Sequence, residues 1–156
     1  MTSQPHPQPK TNKPMANYYA TARSNYFAVK DETAFREWAG LLGLTILEPD
    51  HRDKSADGIR RFGISSGNCD DSGGWPSSLA DEDTGDYKDI DVSEQLSPHL
   101  ADDEVAILRE AGSESLRYVT GSAVAVNNKG KTVRLDLEGI YRTARKLGRN
   151  ITRAEY

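Results

Sequence analysis

Cysteine, histidine and carboxylate positions are where chemistry would reside, and each set meets a specific obstacle. Cys69 stands in Gly67-Asn68-Cys69-Asp70-Asp71. Neighbouring acids raise a thiol pKa and deplete the thiolate that a nucleophile needs. It is the single cysteine, which excludes an internal disulfide and a multi-cysteine metal cluster. His6, His51 and His99 are far apart and follow no ligand spacing. From Asp81, the run DEDTGDYKDIDV has acids where a calcium loop begins. Its glycine falls one position early, however, and Val92 stands where the closing glutamate belongs. A loose calcium or magnesium contact by Asp81, Asp83 and Asp86 stays open on residue type alone. There is no GxSxG elbow and no glycine-rich loop running into Lys-Ser/Thr. The expectation is a protein that is not an enzyme and needs no metal or other cofactor.

Charge carries more. The formal net charge is -4 over 156 residues, unevenly spread. Residues 47–104 hold five Lys/Arg against sixteen Asp/Glu, and residues 105–156 hold ten against five. If the acids of the middle share a face, their potential resembles a row of phosphates and draws in a basic groove. The candidate partner-binding residues are Asp70, Asp71, Asp81, Glu82, Asp83, Asp86, Asp89 and Asp91, with Trp75 in Gly-Gly-Trp-Pro as an anchor or as a pin for its loop. A solvated loop with no partner is the plain alternative. The second candidate is a basic face made by Arg142, Arg145, Lys146 and Arg149, suited to phosphates, to the chain's own acids or to solubility alone.

The elements that must hold these residues follow from periodicity. Residues 1–14 contain four of the seven prolines and no large apolar residue, so a disordered tail is expected, followed by one domain over 15–156. Residues 18–30 read as a strand. Asp31 then caps a helix over 32–42 with Phe35, Trp38, Ala39 and Leu42 on its inner side. Short strands are expected at 44–47 and 58–65. The stretch 66–96 reads as an acidic, loop-rich middle with a short strand near 89–92. Ser97-Pro98 opens a helix with Val105, Ile107, Leu108 and Ala111 inside and Gly112 as its stop. A hairpin follows, with strand 116–126, the turn Asn127-Asn128-Lys129-Gly130, and a return strand burying Val133, Leu135 and Leu137. Gly121 marks a bulge or a close backbone approach. A last helix over 137–148 places Leu137, Ile140, Tyr141, Ala144 and Leu147 inward. The fold class is α+β: an antiparallel sheet with about three helices packed on it.

The opening NYYATARSNYFAVKDETAF, the turn SGGWPS and the block LRYVTGSAVAVNNKG...VRLDLEGIY resemble small proteins of bacterial plasmids, integrative elements and phages. In such elements, small acidic proteins without enzymatic signatures are often anti-defence proteins, either anti-restriction or anti-CRISPR inhibitors. The resemblance implies an inhibitor of a host protein complex handling nucleic acid. The acidic middle would supply its DNA-mimicking surface, and the single cysteine suits the reducing cytoplasm of a bacterial host. The basic last third departs from proteins that mimic DNA throughout. Nothing in the composition calls for a membrane, and a monomer or homodimer is expected. A nucleic-acid-binding accessory protein using the basic last helix is the second reading, and a small enzyme without a recognisable motif the third.

Overall fold

Six strand pairings, all antiparallel, build the described part of the molecule. The computed structural model describes residues 18–50, 56–67, 73–114 and 118–154. The expected tail at 1–14, and Cys69, Asp70 and Asp71, lie outside them.

β1 (Tyr18–Ser24) is a strand because its side chains alternate, with Ala22 and Ser24 turned into the core. The chain then leaves regular pairing but stays stitched by single bridges from Phe27 to Phe62 and from Val29 to Leu100. Asp31 caps α1 (Glu32–Leu41): its carboxylate accepts the Ala34 N–H at 3.1 Å. Phe35 and Ala39, one turn apart, are buried, and Trp38 packs against the core with its N–H on Gln95 Oε1 at 3.1 Å. Gly43 ends the helix at φ +66°, a conformation glycine adopts without strain. β2 (Thr45–Leu47) and β3 (Gly63–Ser65) follow. The hairpin of β4 (Ser78–Ala80) and β5 (Tyr87–Asp89) forms its own two-stranded sheet.

α2 (Val92–Leu96) starts where the sequence suggested strand, because Asp91 accepts the N–H groups of Ser93 and Glu94. A single 3-10 turn (Ser97–His99) carries Pro98 in its first position. The expected helix beyond Pro98 is instead β6 (Val105–Glu114). Val105, Ile107 and Arg109 face out while Ala106 and Leu108 are buried, a period of two. Tertiary pairing overrides the local ambiguity, since β6 bonds to β1 on one side and β7 on the other. Gly112 is there for space: a Cβ would lie 2.5 Å from the Tyr18 ring.

β7 (Tyr118–Asn127) and β8 (Thr132–Asp136) form the expected hairpin. Asn127 Oδ1 accepts N–H groups from Lys129 and Lys131 at 3.0 Å, and Gly130 takes φ +75°. Gly121 makes no bulge, because the register runs unbroken; Leu137 lies over it, 3.1 Å from where a Cβ would be. The sheet order is β2-β3-β1-β6-β7-β8.

Two expectations at this end are corrected. Val133 and Leu135 are 73% and 71% exposed, and all of β8 is exposed. On the face of Val133 and Leu135 no described element covers β8, and on the other face Arg134 alone reaches α2, through Asp91. The last helix is α3 (Gly139–Ala144), six residues long with none buried, and Leu147 is 92% exposed. The class is α+β as expected, but the helices are few and small, and the core lies under α1 and α2.

That core centres on three rings. Phe35 lies 5.8 Å from both Phe27 and Phe62, edge-on to the first and tilted on the second. Arg36 and Arg60 cover Phe62 at 5.2 and 4.9 Å and bridge Glu32 and Glu48 at 2.9–3.2 Å.

Candidate functional site

The acidic middle separates into two populations. One is neutralised by the chain's own arginines. Glu48 is held by Arg36 and Arg60. Arg61 grips Asp57 and Glu104, each at 2.9 Å. The hydrogen bond from Arg61 draws the Glu104 pKa below the ordinary glutamate range, against the opposing effect of burial. Asp91 belongs to this group. Burial pushes its pKa up, but hydrogen bonds from Ser93 and from Arg134 at 2.8 Å outweigh that and hold it low. Asp91 is a helix cap and ion-pair residue. The Asp91-to-Glu94 spacing is a cap signal that the strand reading of 89–92 passed over, and the arginine partner lies 43 positions away.

The second population is on the β4–β5 ribbon. Residues 77–89 are all exposed, and the Ile90 N–H closes the base on Ser77 O at 2.9 Å. The tip is shaped by its own side chains: Asp81 Oδ1 accepts the N–H groups of Asp83 and Thr84 at 2.9 and 3.2 Å. Gly85 N–H closes on Asp81 O at 2.9 Å. Asp81, Glu82, Asp83, Asp86 and Asp89 are thus gathered on one projection with Lys88 as its single cation. None of the five forms an ion pair among the described residues. Leu79 and Tyr87 are exposed beside them.

Trp75 sits below the ribbon and is half-buried against the core. Its backbone N–H donates to Glu110 Oε2 at 2.8 Å, and Tyr18 donates its hydroxyl to the other Glu110 oxygen at 3.0 Å. Burial raises the Tyr18 pKa, partly countered by its hydrogen bond with Thr120. The glycines before Trp75 permit the approach. Gly73 takes φ +75° with its missing Cβ 2.1 Å from Ala20 O, so no side chain fits. Trp75 is therefore a pin that docks the ribbon's base on the sheet. Its indole N–H is buried and finds no partner among the described residues.

The expected basic face does not form as one helical stripe. Arg142 lies on α3, Arg145 is its C-cap, and Lys146 and Arg149 lie beyond it, all exposed. Arg153 folds back onto Glu138 and over the Tyr141 ring at 4.6 Å. The sequence reading missed a different cationic feature. Arg23 and Arg109 face each other across β1 and β6 on the sheet face away from the helices. The strand positions of that face, from Thr45 and Ser65 across to Ala123 and Leu135, carry no Asp or Glu among the described residues. Reading β6 as a strand would have revealed it, since Arg109 alternates with buried Leu108.

His99 packs on Trp38 at 5.2 Å, and burial lowers its pKa despite the nearby Asp31 charge. Among the described residues no three His, Cys, Asp or Glu side chains are placed to hold a metal ion. No described helix is long and apolar enough to cross a membrane. Comparison with protein-family models, curated proteins and solved structures finds no match to this chain.

Proposed function

We propose that the protein is a non-enzymatic inhibitor whose β4–β5 ribbon occupies a Lys/Arg-lined groove of a protein complex that handles nucleic acid. The supporting observation is the segregation of charge. The chain neutralises Glu48, Asp57, Asp91 and Glu104 with its own arginines, yet among the described residues five carboxylates on one projection form no ion pair. Like charges so close repel, so their concentration favours binding rather than folding. The resemblance to plasmid and phage proteins gives the class of target: a bacterial defence complex of the restriction or CRISPR type.

The test is capture from a bacterial lysate at low and high salt. Replacing Asp81, Glu82, Asp83 and Asp86 by Asn or Gln is expected to abolish capture mainly by slowing association. Replacing Arg142, Arg145 and Lys146 by Gln is expected to leave capture intact. The reverse pattern overturns the proposal. A second reading, direct nucleic-acid binding, is favoured by the acid-free sheet face bearing Arg23 and Arg109. It requires a salt-sensitive electrophoretic shift that Arg23→Gln with Arg109→Gln removes.

A further inference from the structure

Among the described residues, β8 ends the six-stranded sheet and pairs with β7 alone. The Asn127 N–H donates to Lys131 O at 3.2 Å, and the Leu137 N–H to Gly121 O at 2.9 Å. Residues 131, 133, 135 and 137 therefore aim their backbone groups at β7, and Thr132, Arg134 and Asp136 aim theirs outward. Every residue from 131 to 138 is exposed. Natural sheet edges are usually shielded by short length, charged side chains, proline or a bulge, and of these β8 has its five-residue length and the charges of Arg134 and Asp136. β8 has no proline and no bulge in its register. On one face it carries Val133, Leu135 and Leu137 in the open.

The edge sequence is complementary to itself. When Val133-Arg134-Leu135-Asp136-Leu137 runs antiparallel to a second copy about Leu135, Arg134 falls opposite Asp136 of that copy, and Asp136 opposite its Arg134. On the other face Leu135 meets its counterpart and Val133 meets Leu137. Arg134 and Asp136 are the residues with outward backbone groups, so the same register forms about four backbone hydrogen bonds. The neighbouring same-face registers are poorer. Centring on Arg134 sets that guanidinium against itself, and centring on Val133 sets Lys131 against Leu135. Existing contacts leave room for the new ones. Arg134 uses Nη2 on Asp91, and Asp136 uses Oδ1 for the Gly139 N–H at 2.9 Å. Stacking two open sheet faces would instead bring Arg23 and Arg109 toward their own copies. Edge pairing avoids this, because β6 is two strands inside the edge, roughly 10 Å away.

We propose that β8 is a homodimer interface in which two copies pair antiparallel about Leu135 and join their sheets into one. The test is sedimentation equilibrium across roughly 1 µM to 1 mM. The wild-type mass is expected to rise from 17.2 kDa toward twice that value. Arg134→Asp makes the edge wholly acidic and Asp136→Arg makes it wholly basic. Each variant alone is expected to stay monomeric, and an equimolar mixture to recover the heterodimer. Leu135→Lys, at an exposed position, is expected to stay folded by circular dichroism and to lose association. A wild type that remains monomeric throughout overturns the proposal, and would leave β8 open to an extended strand from another protein. Charge variants that self-associate like the wild type also overturn it, as does a mixture that fails to associate where the wild type does.

Discussion

Glu110→Ala tests how the acidic ribbon is attached to the body. Glu110 lies on the central strand and takes two donors: the Trp75 backbone N–H at 2.8 Å and the Tyr18 hydroxyl at 3.0 Å. Hydrogen bonds to a charged acceptor contribute about 1.5–3 kcal/mol each, the lower figure applying where solvent reaches the site. Both groups are only partly buried, so the lower figure is used twice, giving about 3 kcal/mol. In a domain of this size that lowers Tm by about 6–12 °C. Glu110→Gln keeps one acceptor oxygen and should lose roughly half as much. The assay is thermal and urea unfolding, with hydrogen exchange over residues 73–77 reporting the loop itself. Exchange at the Trp75 amide should rise more than at Leu108, which sits in the same strand as Glu110. A Glu110→Ala protein within about 0.5 kcal/mol of wild type, the scatter of ordinary surface changes, would refute the docking argument.

The other expectations are direct. Phe35→Ala removes the fully buried ring at the centre of the aromatic cluster and should cost about 3–5 kcal/mol by urea unfolding. Leu135→Asp, measured at a few micromolar, should melt cooperatively within about 1 kcal/mol of wild type, because Leu135 is already in water. His99 should make the fold acid-sensitive. Its folded pKa is lowered, so below the unfolded value of 6.5 the unfolded chain binds a proton that the folded chain does not. Stability then falls with pH until the folded pKa is passed, and His99→Phe should flatten the Tm profile in that window. Glu104 acts at lower pH: its stabilisation is present above the unfolded carboxyl pKa of 4.5 and is lost as pH falls through the lowered folded value. Glu104→Gln should shrink that acid-side loss.

Local signals were legible where one element suffices to fix them. The Asp31 cap and the Phe35/Ala39 spacing specify α1 from within ten residues. Asn127 and Gly130 specify their turn, because the asparagine oxygen and a positive φ act inside it. β6 was illegible for a complementary reason. Val105-Ala106-Ile107-Leu108 satisfies helical and strand periods alike, and the partners that decide between them lie about eighty positions upstream and about twenty downstream. Val133, Leu135 and Leu137 followed the burial rule in pattern and broke it in place. Alternation fixes which side chains share a face, but not whether any layer covers that face.

The same limit governs the candidate site. Composition gives one acidic middle. The Asp91-to-Glu94 spacing marks Asp91 as a candidate helix cap where Asp89 has no such signal, but nothing local reveals its arginine. The fold separates them through Arg134, 43 positions away. The two aspartates flank the end of one short ribbon. Asp89 is paired across to Ser78 with its carboxylate in solvent, whereas Asp91 caps α2 and holds an arginine. Neutralising Asp91 should therefore cost stability, while neutralising Asp89 should not. Asp91→Asn keeps the cap and loses the charge attraction to Arg134, so its loss should be smaller than that of Asp91→Ala, about 1 kcal/mol for the cap alone. Asp89→Asn should leave the melt unchanged and weaken partner capture. If Asp89→Asn destabilised the fold and Asp91→Ala did not, the division of this stretch into structural and partner-facing carboxylates would be wrong. The ribbon would then be part of the fold's own electrostatics.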